Sequence, residues 1–194
     1  WKVISNIMRI ISGQARGTKL YTLEGIATRP TLDRVKESLF NILQGEIEEK
    51  IILDLFAGSG QIAIEFLSRG AKEAYLCDTS REAVAMIKQN LTKTKMLDKA
   101  KVYNEDYTEL LNRLEKENKK IDLIFIDPPY KQNLAVNAVK QIIDKKLLNF
   151  EGKIIIETDE PDRDIKELEE INVKDKIYDI RKYGRASLIF IKDV

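Results

Sequence analysis

Histidine is absent from all 194 residues. That removes histidine-dependent triads, most zinc centres and the commonest general base together. Any chemistry must then rest on carboxylates, backbone groups or a bound cofactor. Cysteine occurs once, as Cys77, so an internal disulfide framework is excluded. Its setting in the apolar run AYLC reads as a small core residue rather than a reactive thiol, and a reducing cytoplasm is the expected location. No apolar run approaches the roughly 20 residues that span a bilayer, and the opening WKVISNI is too short and interrupted for a secretory-signal core. No membrane partner is expected, and Met8 is the expected natural start, with residues 1–7 an upstream extension. Charge imbalance is lacking too. A net charge of +1 with 34% charged residues gives no global field of the kind carried by strongly basic nucleic-acid binders, so any basic face must be local.

What is present suits one domain with a full core. From about Lys50 onward, strand-like and helix-like segments alternate, which predicts βα units and a mainly parallel sheet. Strands are expected at 51–56, 74–77, 101–103, 121–126 and 153–157. Helices are expected at 61–68, from a Ser80 cap to about Thr94 with Ala83, Ile87, Asn90 and Leu91 at helical spacing, at 108–116 and at 134–144. The tail changes character: 176–183 and 187–192 flank Gly184 and read as an antiparallel hairpin. The expectation is an α/β domain over residues 46–194, with seven strands in one mainly parallel sheet and helices on both faces.

Residues 1–45 stand apart as a small extension. MRIISGQARGTKL holds strand-like pieces broken by Gly13 and Gly17, and 31–43 reads as a helix. Through Lys36 the positive residues are Lys2, Arg9, Arg16, Lys19, Arg29, Arg34 and Lys36, against Glu24 and Asp33. This is the basic end of a neutral protein.

ILDLFAGSGQIAIEF places Gly58 and Gly60 in a turn between a strand and a helix, where glycine lets backbone approach a ligand and the helix offers free N–H groups. With Ala63 the spacing satisfies G-x-G-x-x-A, so a nicotinamide dinucleotide is one reading and a plain structural turn another. Three acids follow at the same sheet edge. Asp54, inside the first strand, needs a partner such as a cationic ligand. Asp78, ending the second strand, is placed to accept ribose hydroxyls, and Asp106 follows the third. Each alone could be a helix cap or a solvated acid; together they converge beside the glycine turn. A positive centre near Asp54, a ribose near Asp78 and an adenine near Asp106 describe S-adenosylmethionine better than a dinucleotide, for which nothing marks a nicotinamide site. Phe56, Thr79 and Tyr107 adjoin these positions and complete the set.

The stretch IDLIFIDPPYKQ carries the chemistry. Ile121 to Ile126 is a strand suited to burial on both faces, and Pro128 and Pro129 force the chain out of the sheet with Asp127 at its carboxyl end. Open α/β sheets bind ligands there. DLFAGSG together with DPPY resembles the class I S-adenosylmethionine-dependent methyltransferases that act on exocyclic amines of nucleobases. MRIISGQARGTKL and RPTLDRVKESLFNIL narrow the likeness to the RsmD-like 16S ribosomal RNA guanine-N2 methyltransferases, from about Met8 to the final strand. The resemblance implies a Rossmann-like fold, S-adenosylmethionine as cofactor and 16S rRNA as substrate, within a small ribosomal subunit or assembly intermediate, with a monomer sufficient. It implies that Arg29 and Thr31 lie by the methionine end of the cofactor. Arg34 is a candidate for that end as well as for RNA, and Arg9, Arg16 and Lys19 face RNA phosphates. Asp78 departs from relatives that carry Glu, and the shorter side chain still reaches a ribose.

The chemistry of DPPY follows from the residues. An exocyclic amine is a poor nucleophile because its lone pair is delocalised into the ring. Acceptors at the Asp127 carboxylate and Pro128 carbonyl would favour a pyramidal nitrogen aimed at the sulfonium methyl. Tyr130 can stack on the base, a contact worth roughly 1–3 kcal/mol, and Asp127 can take the proton. DPPY also occurs in adenine-N6 enzymes, so methylation of adenine in DNA or RNA is the nearest alternative. An RNA-binding module with a relic cofactor pocket is the non-enzymatic one.

Overall fold

The computed structural model describes residues 8–22, 30–129 and 134–194. Helix α1 spans Pro30–Ile42, and the sheet domain follows as β1 Ile51–Asp54, α2 Gln61–Ser68, β2 Glu73–Cys77, α3 Arg81–Lys93, β3 Ala100–Tyr103, α4 Tyr107–Lys116, β4 Ile121–Ile126, α5 Leu134–Asp144, β5 Leu148–Thr158, α6 Pro161–Glu170, β6 Ile177–Tyr183 and β7 Ala186–Lys192. The seven strands form one sheet in the order β3-β2-β1-β4-β5-β7-β6. Pairings among β1 to β5 are parallel, and β7 enters antiparallel between β5 and β6. The expected α/β architecture with a terminal hairpin is therefore what the chain adopts.

Strand alternation divides the core into two layers. Ile52 of β1, Leu123 and Phe125 of β4, Ile155 of β5, and Leu188 and Phe190 of β7 pack with α1, α2 and α3. Leu53, Ile124, Ile126, Ile154, Ile156 and Ile189 pack with α4, α5 and α6 on the other face. Both layers are dry: Leu39, Phe40, Phe66, Leu110 and Ile142 are wholly buried. β1 sends its crossovers to β2 on one side and has β4 on the other, so the sheet's order reverses between β1 and β4. The carboxyl ends of those strands frame the crevice where such sheets take ligands.

Two expectations are corrected. β5 begins at Leu148, not Lys153, because a register shift against β4 between Ile121 and Leu123 carries the ladder across the Glu151–Gly152 kink. Helix α6 is an addition to the expected elements. Its first turn holds Pro161 with Asp162 and Asp164, good start signals, but only Ile165 and Leu168, with Ile171 just past its end, give it an apolar stripe among charges.

Ahead of α1, the described part of the basic extension is a small hairpin. Arg9 bridges Lys19 in antiparallel fashion, and the amide of Leu20 donates to the carbonyl of Met8 at 2.8 Å. It is held to the sheet domain through α2. The buried carboxylate of Glu65 accepts from the amides of Ile11 and Ser12 at 2.8 and 3.0 Å and from Arg69 at 2.9 Å. The Ser68 hydroxyl accepts from the Ala15 amide and donates to the Ser12 carbonyl. At Gly13, with φ of +80°, an added Cβ would lie 1.8 Å from the Ser68 carbonyl oxygen, so only glycine permits this approach.

Candidate functional site

β1 ends at Asp54, and the chain turns through Gly58 and Gly60 into α2. Both glycines have positive φ, 54° and 76°, a region other residues enter only with strain. A Cβ added at Gly58 would meet nothing within 4 Å, so the turn borders open space. The helix start has no side-chain cap, which leaves its free amides for solvent or a ligand.

Asp78 braces this turn from the end of β2. Its carboxylate accepts from the Gly58 amide at 3.0 Å and from the Ser80 amide at 2.9 Å, fixing both the glycine turn and the entry to α3. Asn104 secures the same corner by donating to the carbonyls of Asp78 and Thr79. Asn90 closes the floor: its side-chain amide donates to the Ser59 carbonyl at 2.9 Å. Asp106 caps α4, accepting from the Thr108 amide in a capping box with Glu109, so one of its oxygens is already engaged. Phe56 packs against Tyr107 with ring centroids 5.3 Å apart and planes tilted by 43°, and the Tyr107 hydroxyl accepts from Asn137 at 2.8 Å. Tyr107 is thereby held in the core layer, and Thr79 is exposed at the rim.

The acids of the edge respond to burial. Asp54 is only 2% exposed, and desolvation pushes its carboxyl up to about 7 against the opposing pull of the Phe56 and Ala63 amides, with Asp78 adding to the rise. A carboxyl in that state is stabilised by a cation. Asp127 leaves the end of β4 with Pro128 directly after it; desolvation first, then Glu157, Asp54 and Asp159, hold it well above the ordinary carboxylate range. Glu157 on β5 is raised by burial to about 7. Alternation places Asp54, Asp127 and Glu157 on one face of adjacent strands β1, β4 and β5. An open edge with a buried carboxyl that calls for positive charge, a glycine turn bordering space and an acid beside that turn fits a cationic nucleoside cofactor.

Cys77 is the core residue its setting predicts: it is fully buried, its thiol donates to the Leu55 carbonyl, and burial raises it far above an ordinary thiol. Arg9, Arg16, Lys19 and Arg34 are all exposed or partly so. Residues opposed in an antiparallel bridge share a face, so Arg9 and Lys19 emerge together, with Arg16 in the intervening turn. Lys36 ties α1 to this hairpin by donating to the Arg9 carbonyl. Arg34 lines an open groove of about 480 Å³ between α1 and β6, with Glu37, Ser38, Arg181 and Tyr183. Arg29, the Thr31 side chain and Tyr130 lie outside the described residues.

Sequence reasoning passed over the residues that set the site's geometry from a distance. Asn90 sits in an otherwise apolar helical stripe, and that polar interruption was its signal. Glu65 and Ser68 left none, since their partners come some fifty residues earlier in the chain. Glu157 read as an ordinary strand residue.

Comparison with known proteins agrees with this picture. The profile of a family described as Conserved hypothetical protein 95 matches residues 8–192. A Bacillus subtilis protein described as a candidate rRNA methyltransferase is 39% identical over 153 residues, which is 78% of this chain and 83% of that protein. The ribosomal RNA small subunit methyltransferase D of Haemophilus influenzae is 37% identical over 153 residues, covering 78% and 79%. Among solved structures, an Escherichia coli protein described as a candidate methyltransferase superposes with a TM-score of 0.77 at 27% identity, over 95% of this chain and 97% of that one.

Proposed function

Since the chain belongs to the Conserved hypothetical protein 95 family over residues 8–192, we propose that it methylates small-subunit ribosomal RNA with S-adenosylmethionine, at the exocyclic N2 amine of a guanine. The observation that carries this reading is the placement of Asp127 and Pro128 at the carboxyl end of β4, beside the Asp54 and Gly58 corner at the point where the strand order reverses. The names of its relatives support ribosomal RNA as substrate. Guanine is supported by the likeness of MRIISGQARGTKL and RPTLDRVKESLFNIL to guanine-N2 enzymes.

The cofactor supplies an electrophilic methyl group on a sulfonium. Asp54 would answer its positive charge, the Gly58–Gly60 turn would give it backbone at close range, and Asp78 and Asp106 would meet ribose and adenine, with Phe56, Thr79 and Tyr107 around them and Arg29 and Thr31 at the methionine end. The Asp127 carboxylate and Pro128 carbonyl would accept the two amine hydrogens, which localises the nitrogen lone pair and orients it. That interaction strengthens as the nitrogen pyramidalises, so it favours the transition state over the ground state. Tyr130 would stack on the base. Residues 1–45 form the basic extension toward RNA and 46–194 the transfer domain. Arg9, Arg16, Lys19 and Arg34 would hold phosphates, which positions the RNA without reading it.

The test is transfer of labelled methyl to small ribosomal subunits lacking their own guanine-N2 methylation, with Asp127→Ala as control. Label in N2-methylguanosine that the variant fails to deliver is expected. Label in N6-methyladenosine would sink the guanine assignment and move the chain to the adenine enzymes.

A further inference from the structure

Glu157 has no place in the reaction as described so far, yet its setting is unusual. β4 and β5 run parallel with Ile124, Phe125 and Ile126 opposite Ile154, Ile155 and Ile156, so one step on Asp127 stands opposite Glu157. Both side chains turn to the α1–α2–α3 face, and Glu157 is 8% exposed. Among the described residues its carboxyl makes no hydrogen bond and no ion pair; Asp127 is the group that its charge acts on. A buried carboxyl with no such partner among the described residues is costly unless something nearby uses it.

Resting on the methyl-transfer reading above, we propose that Glu157 is a positioning residue that makes Asp127 a proton acceptor: the two ionised carboxyls take up the proton that the target amine gives up and share it between them. The step balances. The amine lone pair forms the new N–C bond as the C–S bond breaks, and that bond's electrons stay on sulfur, which departs as a neutral thioether. One N–H bond then breaks, its electrons remain on nitrogen, and the proton passes to the carboxylate pair and on to solvent. An isolated Asp127 would be a weak base at neutral pH; a second carboxyl alongside raises its affinity for a proton, because like charges a few ångströms apart do not both ionise.

Among the described residues nothing opposes this effect. Asp127 is faced by Glu157, Asp54 and Asp159, all acids. Ser187 and Leu188 of β7, across from Thr158 and Glu157, carry no charge. Of the described cations on α1, which covers this face, Lys36 is engaged at the Arg9 carbonyl and Arg34 is exposed, while the helix's Glu37 is another exposed acid.

Two readouts test the pair. In side-chain carboxyl NMR titrations of the cofactor-free protein, Glu157→Gln is expected to lower the midpoint of Asp127 by at least one pH unit, and Asp127→Asn to lower that of Glu157 reciprocally; either variant suffices should the other fail to fold. In single-turnover methyl transfer, the wild-type rate is expected to rise with pH through about 7, the value to which burial carries Glu157. Glu157→Gln should move that limb to lower pH and cut the plateau about ten-fold, with cofactor affinity kept. Unmoved carboxyl midpoints would overturn the pairing. Shifted midpoints with an unmoved rate profile would overturn the proton-accepting role. Absence of any methyl transfer by wild type would refute the proposed function instead, and the titrations would still read the pair.

Discussion

Asn90 and Tyr21 are joined by two hydrogen bonds across 69 residues of chain: the Tyr21 amide donates to the Asn90 side-chain oxygen at 2.7 Å, and the Asn90 side-chain nitrogen donates to the Tyr21 carbonyl at 3.0 Å. The same side chain donates to Ser59 in the glycine turn. One buried amide thus registers the basic hairpin, helix α3 and the turn against one another. Asn90→Ala strands two backbone groups of Tyr21 and the Ser59 carbonyl. It should destabilise the protein by roughly 1–3 kcal/mol and weaken S-adenosylmethionine binding in the same variant. Thermal unfolding and calorimetry would check both, and unchanged cofactor affinity in the folded variant would deny the coupling.

Cofactor binding should depend on pH through Asp54. Its carboxyl is largely neutral below about 7 in the cofactor-free protein, and a cationic ligand selects the ionised form, so affinity should fall up to ten-fold per unit as pH drops from about 7 toward 5. In Asp54→Asn that slope should vanish along with most of the affinity. Calorimetry at several pH values would show it.

The same group sets a stability trend in the cofactor-free protein. Asp54 titrates near 3.8 in the unfolded chain and near 7 when folded, so between those values the folded state holds more protons. Stability from this group is full below about 4, declines as pH rises toward 7 and is level above. Asp54→Asn should remove that decline, on the order of 1–3 kcal/mol, as read by chemical unfolding at pH 5 and pH 8.

Gly13→Ala places a methyl group against the Ser68 carbonyl and should cost more than about 2 kcal/mol. The hairpin would lift from α2 before the sheet melts. Hydrogen exchange at Ile11, Ser12 and Ala15, whose amides bond to Glu65 and Ser68, should quicken selectively.

Reversing charge at Arg9 and Lys19 should weaken RNA binding uniformly across sequences. The dependence of log affinity on log salt should become shallower by about one for each phosphate that the protein ceases to neutralise. Circular dichroism should be unaffected, since both side chains reach solvent.

The sheet and the shape of its carboxyl edge were legible because their signals are local. β4 is a run of apolar and β-branched residues closed by two prolines, and the turn at Gly58 and Gly60 follows from what non-glycine backbone avoids. Ser80 read as a helix start from its own type and neighbours, and a helix cap was one of the readings open to Asp106. What stayed hidden depends on partners far away in the chain. Glu65 is a charged residue in the middle of a helix, ordinarily a sign of a solvated face, and is buried because a hairpin supplies amides to it. Glu157 gains its character from the strand beside it, which alternation along its own strand does not reveal. α6 carries enough charge to mask an apolar stripe only three residues wide.

β7 pairs with β5 along Lys153 to Thr158, which puts Glu157 under the cover of residues 186–192. A nascent chain emerging from the ribosome exposes β5 before β7 exists, so the cover that β7 gives Glu157 is missing until the later strand pairs. The burial that raises the Glu157 carboxyl is therefore complete only once residues 186–192 are docked on β5.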